Sequence, residues 1–420
     1  MKIILSHPTG NANVREAAKG MLKGGILAVF YTAIAVFPGS ILFKIGGIGP
    51  LKELRRRLFD PILESHTRMI PYMEMGRLLA SKFGFKKLLQ HESGSLCIDA
   101  VYQNLDKEIA AKLEAMHQNS KITAVYGYED GALASFTKAK QLGLYCIYDL
   151  PIGYWKSARL LMQNEFEYNP DWSSTLTGFN DTQTKLNKKD QELALADVIF
   201  VASSFTKKTL EHYSGNLPEI KVIPYGFPEV NSKKEYVSLK GRKLKVLFVG
   251  GLSQRKGISY LFDAIEGMQH KVELTIVGNK AVANCSVLNQ ALKLHHWIPY
   301  LSHDEVLSCM REHDVFVFPS LFEGFGLVIT EAMSQGVPVI TTDRTAGPDI
   351  IEDGVDGWII PAGSSEAIKE IFTKILESPE IVEKIGRAAQ NKAKNRPWVV
   401  YGQEMADALA SLNMINKSKQ

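Results

Sequence analysis

Hydrophobic positions in this chain gather into short uninterrupted runs, the pattern of strands buried on both faces of a parallel sheet, and stretches with helical spacing separate them. The clearest case is residues 315–331, VFVFPSLFEGFGLVITE. Val315 to Pro319 reads as a strand and Ser320 to Gly324 as a short turn. Phe325 to Ser334 reads as a helix, with Leu327, Val328 and Glu331 on successive turns. The chain opens with a strand, Lys2 to Leu5, a loop, SHPTGNAN, and a helix from about Val14. The same start recurs at Leu244 to Val249, where GGLSQRKG precedes a helix from Ile258 to Gly267. Further strands are expected at Glu273 to Val277, Asp314 to Phe318 and Val337 to Thr341, with a helix at Asp304 to Arg311. Asp197 to Ala202 and Val222 to Pro224 read as the last strands of a first sheet. The polar segment Asn231 to Lys243 reads as a linker. Two such beginnings predict two doubly wound α/β domains.

Composition narrows the classes. The 420 residues exceed one ordinary core and suggest two domains. Hydrophobic residues at 45% and charged residues at 22% describe a soluble globular chain. A net charge of +4 is too mild to argue for nucleic acid as a partner. Cys97, Cys146, Cys285 and Cys309 are scattered without CxxC spacing, which speaks against a zinc site or a disulfide framework and for a reducing, cytoplasmic setting. Gly24 to Phe43 holds 20 residues without a formal charge, long enough to span a membrane. Pro38-Gly39-Ser40 breaks it, and Ile26 to Phe37 is rich in β-formers, so a buried strand followed by a loop is expected there, with membrane contact or a span as the alternatives.

The chemistry concentrates in two loops of the second half. Glu323 and Glu331 stand eight positions apart, one just before the helix and the other two turns along it. Gly324 and Gly326 remove side chains where the helix begins. The amides from Gly324 through Phe325 and Gly326 to Leu327, with the helix dipole behind them, form a seat for an anion such as a diphosphate. In GGLSQRKG, Gly250 and Gly251 turn the chain off a strand, and Arg255 and Lys256 place two cations at the next helix start. Preorganised cations and amides stabilise charge developing on a leaving diphosphate more than they stabilise the ground state.

An E-x7-E pair behind a glycine-flanked helix start resembles the signature of the family 4 (GT4) retaining glycosyltransferases, which have the GT-B fold. That fold is two Rossmann-like doubly wound domains facing a cleft. The resemblance is strongest over residues 244–365. It implies a first, acceptor-side domain at 1–235 and a donor-binding domain at 244–396. A C-terminal helix, 397–420, would cross back to the first domain, and its last six residues read as disordered. The activity implied is transfer of a sugar from a nucleoside diphosphate sugar to an acceptor, with retention at the anomeric carbon and no cofactor beyond that co-substrate.

By the same resemblance, Glu331 holds the ribose hydroxyls, and Glu323 sits at the hydroxyls of the transferred sugar as a catalytic-site carboxylate. The backbone of Ile298 and Pro299, within HHWIPY at 295–300, reads the base. Gly251 stands where the family's pattern has an arginine, which leaves Arg255 to supply that cation. Gly10 of SHPTGNAN approaches the diphosphate or the acceptor from the opposite wall. In CIYDLPIGYW, Tyr148-Asp149 stands where the family often has a histidine, and Asp149, at a strand's C-terminal edge, is the first-domain catalytic candidate. Glu129-Asp130 reads more readily as a helix N-cap.

The chain contains no D-x-D, the motif that holds a divalent metal in GT-A transferases, so no metal is expected. His295 and His296, as neighbours on a strand, point to opposite faces and do not suggest one either. Two alternatives stand beside the transferase: a catalytically inactive GT-B scaffold and a sugar-nucleotide epimerase. Glu323, Glu331 and Lys256 are intact, which speaks against the scaffold.

Between Lys44 and Lys87, ten Lys/Arg face four acids, and LKELRRRLFDPIL at 51–63 has leucines at helical spacing with a basic face. Two readings stay open for it: a solvated face around the acceptor cleft, or peripheral contact with the inner face of a membrane. The expected partners are the nucleotide-sugar donor and a sugar, lipid-linked or polysaccharide acceptor, with no nucleic acid.

Overall fold

The structure is a computed structural model that describes residues 1–45, 57–177, 180–231 and 233–417. Its strands form two all-parallel sheets. The first holds β1 (Ile3–Ser6), β2 (Leu27–Thr32), β3 (Thr67–Met69), β4 (Ala124–Tyr128), β5 (Tyr145–Leu150), β6 (Val198–Val201) and β7 (Glu219–Val222), in the order β3-β2-β1-β4-β5-β6-β7. The second holds β8 (Leu244–Val249), β9 (Val272–Val277), β10 (His296–Ile298), β11 (Val315–Phe318), β12 (Val339–Thr342) and β13 (Trp358–Ile360), in the order β10-β9-β8-β11-β12-β13.

Each sheet winds outward in both directions from its first strand, so the order reverses between β1 and β4 and again between β8 and β11. Loops leaving the carboxyl ends of strands at such a reversal diverge and leave a crevice, where ligands bind in open α/β sheets. The loop starting at His7 and the turn at Glu129 lie at the first reversal. Gly250 and the segment 319–326 lie at the second. This two-sheet architecture is the GT-B fold that the motifs led us to expect.

The uncharged stretch 24–43 supplies β2, an inner strand paired with both β1 and β3, and Ala33 to Phe37 continue it as buried chain. Among the described residues, no helix is long and apolar enough to cross a membrane. β7 lies just N-terminal of the Val222 to Pro224 run. As an edge strand it carries Glu219 and Lys221, so its apolar signal is weak.

The helical reading of 51–63 is corrected where it can be followed; residues 51–56 lie outside the described residues. Leu58 bridges to Val36, Phe59 is buried, and Pro61 opens a 3-10 helix, Pro61–His66. Proline at the first helical position and the Asp60 carboxylate accepting from Ile62 N explain that start.

The helix Trp398–Lys417 crosses to pack on the helix Ala12–Lys23 and continues past the point where disorder was expected. The crossing needs two glycines, because a Cβ on Gly20 would lie 1.9 Å from Gly402 O. Tyr401, Met405 and Leu409 of this helix enter the core with Ile3, Leu5 and Tyr126 of the first sheet.

Candidate functional site

The two motif loops of the second half are tied to each other. After β8, Gly250 (φ +157°) and Gly251 lead into a 3-10 turn, Gln254–Lys256, then Gly257 and the helix Ile258–Ile265. After β11 the chain runs through Ser320 to Gly326 into the helix Leu327–Ser334. Leu321 N donates to Arg255 O at 2.9 Å, and Arg255 Nη1 donates to Phe322 O at 2.7 Å. The Lys256 ammonium pairs with the Glu323 carboxylate, and Arg255 Nη1 reaches the same oxygen at 3.3 Å. Lys256 also lies over the Phe318 ring, 4.8 Å from its centroid. Burial raises the Glu323 carboxyl, but Lys256 and Arg255 more than offset it and hold it below its ordinary range. Burial is also the main influence on Lys256 and lowers its pKa.

The turn carrying Glu323 rests directly on the first half. A Cβ on Gly324 would lie 2.1 Å from Pro151 O, and Gly324 O accepts from Ser203 Oγ at 2.6 Å and Thr206 Oγ1 at 3.0 Å. Close approach of the first half therefore demands glycine at 324, a reason different from the anion seat read from sequence. Gly326 is required by its φ of +89°. The amides of Gly324, Phe325, Gly326 and Leu327 donate to no acceptor among the described residues, so four donors stand at this helix start.

Glu331 lies on the same helix with its side chain 18% exposed. Burial raises its carboxyl, and His303 Nδ1 stands 3.8 Å away. His303 was not singled out in sequence. It is the first residue of the helix His303–Arg311, behind a Ser302–Glu305 capping box. Ile298 ends β10, and its carbonyl accepts from Gly278 N at 2.9 Å; Pro299 follows. His295 stacks on Phe262, with centroids 5.4 Å apart, while His296 is exposed.

On the opposite wall, Gly10 (φ +57°) donates its N–H to His7 Nδ1 at 3.0 Å, as does Thr9 N at 3.2 Å. Two donors on Nδ1 assign the ring proton to Nε2. Burial drops the His7 pKa to about 3, so the ring is neutral, edge-on to Tyr102 and Tyr128. His7 was missed in sequence. Its signal was a histidine one residue beyond the first strand, at the reversal point.

Asp149 is the next-to-last residue of β5 but is 3% exposed, set among tyrosines rather than open in the cleft. It accepts from Tyr126 OH at 2.6 Å, and burial pushes its carboxyl up to about 7. Tyr225 packs against Phe325, its ring tilted by 46° with centroids 4.7 Å apart, so this cluster backs the Glu323 turn. Glu129-Asp130 does not cap the helix Leu133–Gln141. Glu192 accepts from the amides of Asp130, Ala132 and Leu133, and Asp106 from those of Ala134 and Ser135. Glu129 instead pairs with Lys189 at 3.3 Å, and burial lifts it to about 7.

A cavity of about 440 Å³ lies between the halves, with Trp155, Arg159 and Lys189 on one wall and Gly251, Ser253 and Arg255 on the other. That volume suits a small polar ligand. Beside it, Glu165 of the helix Trp155–Tyr168 accepts from Gln254 Nε2 at 2.9 Å and Tyr260 OH at 2.9 Å. Thr175 Oγ1 accepts from Gln254 N at 2.8 Å. The first half thus grips the residue preceding Arg255.

Residues 230–392 match the family model described as glycosyl transferases group 1. The second half is a glycosyl transferases group 1 domain. That group 1 domain contains both motif loops, and the family resemblance drawn from Glu323 and Glu331 is borne out. The chain is 28% identical over 239 residues to the capsular polysaccharide biosynthesis glycosyltransferase CapM of Staphylococcus aureus, covering 53% of this chain and 63% of that relative. The matches span between 44% and 63% of the first three curated relatives' own lengths. In fold, the chain is similar to sucrose-phosphate synthase from Thermosynechococcus elongatus, with a TM-score of 0.65, 16% identity, and coverage of 99% of this chain and 100% of that one. Anabaena HepE in complex with UDP-glucose gives a TM-score of 0.61 at 18% identity, covering 98% and 100%.

Proposed function

We propose that this protein transfers a sugar from a nucleoside diphosphate sugar to an acceptor hydroxyl, retaining configuration at the anomeric carbon and without a metal. One observation carries the reading: Arg255, Lys256, Glu323 and the amides of Gly324 to Leu327, which meet no acceptor among the described residues, converge at the reversal point of the second sheet. Two cations and a helix start with unmet donors suit a diphosphate leaving group. Glu331, half-buried and held above its ordinary range, suits a pair of ribose hydroxyls, with the Ile298–Pro299 chain end at the base. Attack comes from the face that the diphosphate leaves. The acceptor oxygen bonds to the anomeric carbon, the bond from that carbon to the phosphate oxygen breaks, and that phosphate oxygen takes the acceptor's proton. The protein's part is to position, neutralise and exclude water.

HepE was solved with UDP-glucose, which makes uridine nucleotides the first donors to test. The acceptor is a sugar, on its own, lipid-linked or in a polysaccharide. The four cysteines are buried and free, as suits a reducing compartment, and we place the protein in the cytoplasm. A thermal-shift screen across UDP, GDP and ADP sugars tests the donor class, since a bound donor raises the midpoint by mass action. Proton NMR of the product then reads the anomeric configuration. No shift with any nucleotide sugar would overturn the proposal.

A further inference from the structure

The helix Tyr72–Lys82 turns one face inward and, among the described residues, leaves another without a partner. Inward, Ala80 is buried, Gly76 packs against Leu96, and Glu74 is fully buried and held by Arg57 and Arg77. Outward, Tyr72, Met75 and Leu79 follow each other at helical spacing and are 57%, 50% and 53% exposed. The stripe runs on into a turn. Gly84, at φ +72°, folds the chain back so that Phe83 and Phe85 stand side by side with ring centroids 6.3 Å apart, 65% and 56% exposed. Lys82 lies over the Phe83 ring at 5.9 Å. Lys86 and Lys87 follow Phe85 directly, and all three lysines are exposed. No acidic residue occurs from Met75 to His91.

We propose that the turn at residues 82–87, KFGFKK, together with the outer face of the helix Tyr72–Lys82, docks on an anionic lipid bilayer. Two phenylalanines at the tip of a turn bury apolar area by entering the boundary between headgroups and acyl chains. Lysines around them keep their stems apolar and their ammonium groups among anionic headgroups. Charge decides the occupant: three exposed lysines in a stretch that holds no acid from Met75 to His91 complement a negative surface. The inference does not depend on the sugar-transfer reading. The protrusion is rooted near the cleft. His91, just after it, lies 2.9 Å from Asp181, which lines the cavity between the halves. Docking would therefore bring that cavity close to the bilayer.

The test is co-sedimentation of the full chain with vesicles of phosphatidylcholine alone and of phosphatidylcholine and phosphatidylglycerol in equal parts. The expected result is pelleting only with the mixed vesicles, weakened by salt. Phe83→Ser with Phe85→Ser, and separately Lys86→Glu with Lys87→Glu, should each reduce vesicle affinity about tenfold or more at unchanged melting temperature. Three results would overturn the proposal. The wild type could stay in the supernatant with mixed vesicles, or both double variants could pellet as it does. Light scattering could instead reveal a dimer that the phenylalanine variant converts to monomer, which would make this face a contact between copies.

Discussion

Lys256 and Glu323 form an ion pair between the two loops that leave the reversal point of the second sheet, and Arg255 reaches the same carboxylate at 3.3 Å. One buried carboxylate thus balances two cations beside four amides that donate to no acceptor among the described residues. On the proposed function, a diphosphate entering there would compete with Glu323 for those cations, and the displaced carboxylate would become available to the sugar hydroxyls.

The two glutamates should separate by kinetic phenotype. Glu323→Gln releases Lys256 and Arg255, so nucleoside diphosphate affinity should hold or rise. The sugar loses its orienting contact, so kcat should fall by about 10²-fold or more. Glu331→Gln would remove the proposed contact to the unreacting ribose and should chiefly raise the donor KM. Steady-state kinetics with a calorimetric titration checks both, and reversed phenotypes would mean that the donor lies the other way round.

Asp149 carries a pH prediction. Its folded-state pKa, about 7, is above the ordinary 3.8, with burial as the main cause. The folded chain therefore keeps a proton that the unfolded chain has released. The group's contribution to stability is full below 3.8 and is lost as pH rises through about 7. Glu129, at about 7, and Glu192, at about 8, act in the same direction, so only the difference between variant and wild type isolates Asp149. Asp149→Asn should flatten the fall in Tm between acid and mildly alkaline buffer. An unchanged slope would mean that Asp149 is ionised in the fold.

Glu165 should matter to a site it does not touch. Glu165→Ala leaves Gln254 Nε2, Tyr260 OH and Asn169 Nδ2 without their shared carboxylate acceptor. Stability should fall by about 1–3 kcal/mol. The donor KM should rise more than kcat falls, because the loop carrying Arg255 loses its grip on the first half. Chemical denaturation and kinetics measure the two effects, and normal donor binding would show that the contact is only structural.

The second sheet and its site loops were legible because the strands at a reversal point are buried on both faces and their loops must carry glycine and charge. What escaped depended on partners far along the chain. The N–H groups at the start of the helix Leu133–Gln141 are met by Glu192, about sixty residues on, so the local Glu129-Asp130 pair was mistaken for the cap. The second demand for glycine at 324 escaped because nothing nearby in sequence reveals that Pro151 O lies against it. Asp149 sat at the right strand end, but Tyr401, from the returning C-terminal helix, belongs to the cluster that encloses it, and local periodicity carries no trace of that.

The central claim is that Arg255 and Lys256 neutralise the donor diphosphate without a metal, and calorimetric titration of uridine diphosphate in the presence of a chelator tests it most directly. Saturable binding is predicted for the wild type, weakened by about 1.5–3 kcal/mol in Lys256→Ala and again in Arg255→Ala. Binding that appears only when magnesium or manganese is restored, or that both variants retain in full, would contradict the account.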